Sequence, residues 1–517
     1  MKRLLAVLAS VCFATQAALA QDSEKTFSEV INDFMTPVSE FISGIVFYAV
    51  PMDWLYDGAP GLPLIVVWLL GGGIFFTFYM GFPNIRGFKQ SMRIVKGTYD
   101  DPEDPGEVTH FQALSAAVSG TVGLGNIAGV AIAVSVGGAG ATFWMILAGL
   151  FGMTSKFVEC TLGVKYREID ENGVVSGGPM HYLSKGLANM GMAGLGKVLA
   201  VAAAMICIGG AFGAGAMFQV NQSAMQFTNE VSALTGGTES FFYGKGWIFG
   251  IVFASVVGLV IIGGIKKITH VTEFLVPVMA IIYVSASLII IFGNISALPD
   301  AFGQIFAGAF TADGIQGGIL GVLIQGLRRA SFSNEAGLGS ASIAHAAAKT
   351  KEPVAEGLVA LLEPFIDTVV ICTITALVII ITGSVDSSAS GTAAGIALTS
   401  KAFASVIDWF PYVLTIAVIM FAFSTSITWF YYGQRSFLWL VGDKPMADLL
   451  FKLAYLSSLI VGSAMSLGAV MDIADALLLA MGVPNILGLF LLRKEVKGML
   501  TDYFARIKSG EIRPYEG

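Results

Sequence analysis

The chain has 517 residues, 55% of them hydrophobic and only 13% charged, with a mean hydropathy of +0.76. A soluble domain is about one quarter charged, so this is a membrane protein. The net charge of −7 and the lack of a long basic run exclude nucleic acid as a partner. No His is followed by Glu as a zinc-protease helix requires, and no nucleophile and base pair marks an enzyme.

Residues 1–20 run from Lys2 and Arg3 through an apolar stretch to Ala18-Leu19-Ala20, the order of a secretory signal peptide cut after Ala20. Residues 21–60 mix charged Glu24, Lys25 and Glu29 with Phe27, Phe34 and Phe41, which predicts an amphipathic segment at the outer membrane interface. From residue 61 to 495 the chain reads as a transmembrane domain. A bilayer crossing takes about 20 helical residues, and apolar stretches of that order fall at 61–82, 109–135, 139–164, 196–227, 247–264, 271–293, 314–346, 355–382, 409–439, 447–468 and 470–492. Residues 496–517 form a cytoplasmic tail. With residue 61 outside, twenty-one Lys and Arg fall on inward segments against three (Lys25, Lys245, Lys401) on outward ones, the bias that sets orientation in an inner membrane. Of the cysteines, Cys12 lies in the leader and Cys160, Cys207 and Cys372 inside apolar stretches, so no disulfide framework is expected.

Two spans are not plain helices. The second contains Gly120-Thr121-Val122-Gly123-Leu124-Gly125-Asn126, and the seventh Ser333-Asn334-Glu335-Ala336-Gly337-Leu338-Gly339. The shared Gly-Leu-Gly recurs at an offset of 214 residues, and the same offset carries the third and fourth spans onto the eighth and ninth. The expected architecture is all-α, with two inverted sets of five helices and one extra amino-terminal helix. Paired glycine breaks in such a repeat point to a transporter's binding site, because unwound backbone is tolerated in a bilayer only where it lines a cavity.

A half-helix starting at Gly123-Leu124-Gly125 offers free N–H groups and a positive dipole end to a carboxylate. The freed carbonyls suit a cation, and the small residues Ser119, Gly120 and Thr121 suit a small side chain. Thr121 and Asn126 are the polar side chains of this run and join the candidate substrate contacts. In the ninth span Ser424, Thr425 and Ser426 have two readings: hydroxyls bonded to their own helix, or oxygen ligands for sodium. Asp472 and Asp475 share a helix face and serve either gating or structural pairing.

The runs TVGLGNIAGVAIAV (121–134), SFSNEAGLGSASIAHAAAKT (331–350) and FAFSTSITWFYYGQRS (421–436), with GGPMHYL (177–183) and GGIKKI (263–268), resemble the signatures of the bacterial alanine or glycine:cation symporters. The resemblance covers about residues 60–495. It implies a leucine-transporter-type fold, alternating access, and sodium-coupled symport of alanine or glycine. It also implies that Leu124 and Gly125 bind the substrate carboxylate through backbone N–H groups and that Gln219 contacts substrate. Sodium would be held by the Ser119 and Val122 carbonyls with the Thr425 and Ser426 hydroxyls. Ala216 and Gln222 stand where the family usually has Asn and Ser. A proton-coupled carrier is the nearest alternative; a channel would need a continuous polar pore, and the sequence has two isolated breaks instead.

Overall fold

The computed structural model describes residues 26–311, 318–385 and 395–515; the expected leader at 1–20 lies outside them. The chain opens with α1 (Phe27–Val46), started by a capping box in which Thr26 and Glu29 each bond the other's backbone N–H. Its Phe34 and Phe41 are exposed, while Asn32 on the opposite face accepts a hydrogen bond from Ser466 N–H at 2.7 Å. A short antiparallel ribbon, β1 (Ala49–Val50) with β2 (Leu62–Pro63), leads into α2 (Leu64–Met80).

Each of the eleven expected spans coincides with a helix or a broken pair. After α2 come α3 (His110–Thr121) and α4 (Gly125–Gly137), bent by 49° at their junction, then α5 (Ala141–Lys165) and α6 (Ala193–Leu234). Next are α7 (Gly246–Ile261) and α8 (Gly264–Gly293), followed by the second broken pair, α9 (Gly318–Asn334) and α10 (Ala341–His345). The rest are α11 (Pro353–Ile381), a short α12 (Gly395–Ala404), α13 (Phe410–Val441), α14 (Pro445–Ala464) and α15 (Leu467–Ser509). The protein is an all-α, multi-pass membrane protein. Such bundles lack a water-driven hydrophobic force between helices and rely on close packing of small residues. A Cβ on Gly215 of α6 would sit 2.2 Å from Trp429 Cβ of α13, so only glycine permits that approach.

The connecting segments sort into two ends. At one end Arg506 pairs in a fork with Glu352 at 2.7 and 2.6 Å, Tyr515 N–H reaches the Thr98 carbonyl at 2.8 Å, and Arg167 donates to the carbonyls of Pro105, Ala346, Ala348 and Thr350. These are the segments expected inside. At the other end the Phe27 ring meets Trp247, and Asn32 meets Ser466; these are segments expected outside. One difference from the expectation stands out. Lys156, counted among the inward basic groups, is fully buried within α5 and ion-paired with Glu363 of α11 at 3.0 Å, a partner too far along the chain to leave a local pattern. The segment from 496 onward continues α15 as helix to Ser509 and is docked by Arg506.

Candidate functional site

The backbone loses its helical ladder between Thr121 and Gly125, and side chains take up the freed groups. Gly123 N–H donates to Asn126 Oδ1 at 2.9 Å, and Leu124 N–H donates to Gln219 Oε1 at 3.1 Å. Because Gly123 N–H turns to Asn126, the Ser119 carbonyl gives up its usual acceptor role four residues along. It accepts instead from Thr425 Oγ1 of α13 at 2.9 Å. Thr428 Oγ1 adds a bond to Ser119 Oγ at 3.2 Å. Ser426 Oγ is buried next to Thr425 and has no hydrogen-bond partner, while its carbonyl accepts from Tyr455 OH at 2.7 Å.

The structure therefore brings Ser119, Val122 and Leu124 together with Gln219 and Thr425, all buried. A Cβ on Gly123 would lie 2.5 Å from Thr425 Oγ1 and 3.1 Å from Gln219 Oε1, so the bare backbone is what allows the contact. Gly125 faces the Phe332 ring of α9, 3.3 Å from where its Cβ would be. Two candidates are turned elsewhere. The Thr121 hydroxyl reaches back to the carbonyls of Ala117 and Val118 at 3.3 Å each, and Asn126 Nδ2 donates to Asp367 Oδ1 at 2.5 Å.

Asp367 joins the two breaks to their surroundings. It is fully buried in α11, and it also accepts from Ser333 Oγ at 2.8 Å and Thr368 Oγ1 at 2.6 Å. One carboxylate thus ties the first break to α9 and α11. An intramembrane carboxylate is by default a functional candidate. The second break is held by acids as well. Glu159 Oε2 of α5 accepts from Gly339 N–H at 2.8 Å and from Asn485 Nδ2 at 2.9 Å, and Glu335 accepts from Ser340 Oγ at 2.5 Å and Trp429 Nε1 at 3.0 Å. Glu335 adopts φ +55, a left-handed conformation that a non-glycine residue holds only under such restraint.

Three of the four π-helical segments among the described residues adjoin this centre: 125–129, 211–217 just before Gln219, and 365–372 around Asp367. Such wide turns cluster at functional sites. Gln222, one turn beyond Gln219, accepts from Ile396 N–H at 3.1 Å, which fastens α6 to α12. Asp472 and Asp475 pair with arginines of α9: Arg328 Nε lies 2.7 Å from Asp475 and its Nη2 3.7 Å from Asp472, and Arg329 also contacts Asp475.

The sodium:alanine symporter family matches residues 43–516. The chain is 40% identical over 452 residues to the sodium/alanine symporter AgcS of Methanococcus maripaludis, covering 87% of this chain and 96% of that protein. It is 35% identical over 451 residues to the probable sodium/glutamine symporter GlnT of Bacillus subtilis, covering 87% and 89%. Its fold is that of MhsT, solved in complex with L-phenylalanine, with a TM-score of 0.50 at 15% identity, covering 77% of this chain and 99% of that one. MhsT has the leucine-transporter-type architecture. The chain is an amino-acid transporter and belongs to the sodium:alanine symporter family.

Proposed function

We propose that this protein couples the inward movement of sodium to the uptake of a small neutral amino acid, alanine or glycine, by alternating access between two inverted sets of five helices. The observation that carries this reading is the meeting of two oxygen-rich elements at one break. The Ser119 carbonyl, released from its helix, lies against the Thr425 hydroxyl, and Ser426, the next residue of α13, has a buried Oγ with no partner. A buried hydroxyl without a partner is costly, and a hard cation satisfies it. Sodium as cargo would be held by the Ser119 and Val122 carbonyls with the Thr425 and Ser426 hydroxyls.

The amino-acid carboxylate would take Leu124 and Gly125 N–H, with the Gln219 carboxamide, which now accepts from Leu124 N–H, turning to meet it. Phe332 against Gly125, with Phe218 packed edge-on to it at 5.0 Å, would crowd a long side chain. That supports alanine or glycine over glutamine, the substrate in the name of one relative. Thr121 and Asn126 would act by shaping the break, since the Thr121 hydroxyl faces the Ala117 and Val118 carbonyls and the Asn126 amide joins Gly123 N–H to Asp367. The test is uptake of labelled alanine into proteoliposomes with and without a sodium gradient, with unlabelled glycine and glutamine as competitors. Saturable uptake that follows the gradient and is blocked by glycine supports the proposal. Uptake that follows a proton gradient without sodium overturns it in favour of a proton-coupled carrier.

A further inference from the structure

Six ionisable side chains stand in single file at the end of the bundle where Arg506, Glu352 and Arg167 lie, the cytoplasmic end by the charge count. Neither the sodium cluster nor the carboxylate cluster uses them. Asp100, in the loop before α3, is the outer end, with 34% of its side chain exposed. Behind it is His110, the first residue of α3, whose Nε2 lies 4.0 Å from Asp100 and whose Nδ1 contacts Glu356 of α11. The second Glu356 oxygen is 2.5 Å from Nδ1 of His345 in α10, and His345 Nε2 is 2.5 Å from Glu363. Glu363 ends the file on Lys156 of α5 at 3.0 Å. From His110 inward every member is buried.

With Glu356 and Glu363 both ionised, each carboxylate only accepts, and a ring with both nitrogens on carboxylate oxygens carries two N–H groups. In that state His345 is an imidazolium. Its charge and that of Lys156 cancel Glu356 and Glu363, so this buried part of the file is neutral, as burial demands. His110 differs. Its Nδ1–H is enough for Glu356, and its Nε2 points to the half-exposed end of the file.

The other charges around the file are spoken for. Glu159 and Glu335 face Lys156 from the far side and are bonded at the second break. Arg167 faces Glu356 but gives its N–H groups to four carbonyls. Asp101 and Asp104, outside Asp100, pair with Lys351.

We propose that His110 is a proton-binding site, reached from the cytoplasm past Asp100, whose occupation clamps α3 against α11. A proton from water binds Nε2 and turns the imidazole into an imidazolium, with no other bond made or broken. His110 then bridges Glu356 and Asp100 as a charged donor at both nitrogens, where the neutral ring holds Glu356 alone. The clamp acts on transport because α3 carries Ser119 at its other end, against Thr425. On the symport reading inward opening would move α3 away from α11, so an acidic cytoplasm would slow release. The effect on transport rests on the symport reading; the proton site itself does not.

Two measurements test it. The first is hydrogen exchange on the purified full-length protein in detergent, over about pH 5 to 8, where histidine titrates. After correction for intrinsic exchange, protection of α3 and of the start of α11 is expected to rise severalfold as pH falls, with a one-proton dependence. His110→Gln, which keeps an N–H for Glu356, should flatten the profile. This readout needs no substrate, so it stands or falls apart from the amino-acid assignment. The second is alanine uptake at a fixed sodium gradient with the pH varied on the cytoplasmic face: uptake by the parent should fall severalfold with acid, and His110→Gln should lose the dependence. Should His110→Gln fail to fold, Asp100→Asn serves instead, because losing the outer counter-charge should move the midpoint about one pH unit lower. A parental exchange profile in His110→Gln, or an unmoved midpoint in Asp100→Asn, overturns the proposal.

Discussion

Thr425→Val is the sharpest test of the sodium cluster. Valine keeps the branched shape and replaces the hydroxyl with a methyl group. The change removes the donor to the Ser119 carbonyl at 2.9 Å, a cost that falls on the sodium-free state and partly offsets the effect on binding. The added methyl group occupies the place of the lost oxygen. The sodium-bound state loses one of four proposed oxygen ligands. A loss of about 1.4–2.8 kcal/mol there corresponds to a ten- to hundredfold rise in the sodium concentration for half-maximal uptake. The assay is initial alanine uptake into proteoliposomes against external sodium, with Thr425→Ser as the control that keeps the oxygen and stays within about threefold. If Thr425→Val lowers maximal uptake but leaves the half-saturating sodium concentration unchanged, the hydroxyl serves helix packing and the ligand assignment is wrong.

Gly125→Ala sets a methyl group 3.3 Å from the Phe332 ring and should weaken alanine uptake more than glycine uptake; equal losses in a competition assay would mean that the break serves packing alone. Gln219→Glu puts a carboxylate beside Leu124 N–H, now 3.1 Å from Gln219 Oε1, where it competes with the substrate's own. The KM for alanine should rise about tenfold or more, since like charges at contact cost above 1 kcal/mol, and an unchanged KM would remove Gln219 from the site. Away from the membrane spans, burial drives His181 down from 6.5 to about 4, with Ser176 Oγ at 3.0 Å from Nε2. The folded state keeps this ring neutral while the unfolded chain protonates it, so its contribution is complete above about pH 6.5 and is lost as pH falls toward 4. The Tm should drop across that window, and His181→Gln should reduce the drop; an identical slope in the variant would contradict the assignment.

The sequence by itself determined the membrane class, the eleven apolar stretches, the two breaks and the family. Each of these rests on local chemistry: hydropathy over about twenty residues, glycine beside polar residues where a helix would otherwise continue, and runs such as TVGLGNIAG that carry the resemblance. The alternation of basic loops likewise anticipated that residues near 98, 167, 350 and 506 meet at one end, as their hydrogen bonds do. Tertiary structure decided the rest, because a partner hundreds of residues away leaves no local mark. Lys156 reads as a loop-end cation until Glu363 is seen beside it. Asp367 reads as one more intramembrane acid until Asn126 and Ser333 converge on it. Asn126 gains its tie to Asp367 only when α11 packs on the break, and Gln219 its contact with Leu124 only when α6 does. Burial in a low-dielectric interior makes each of these polar groups dependent on one partner, and only the three-dimensional path of the chain supplies it.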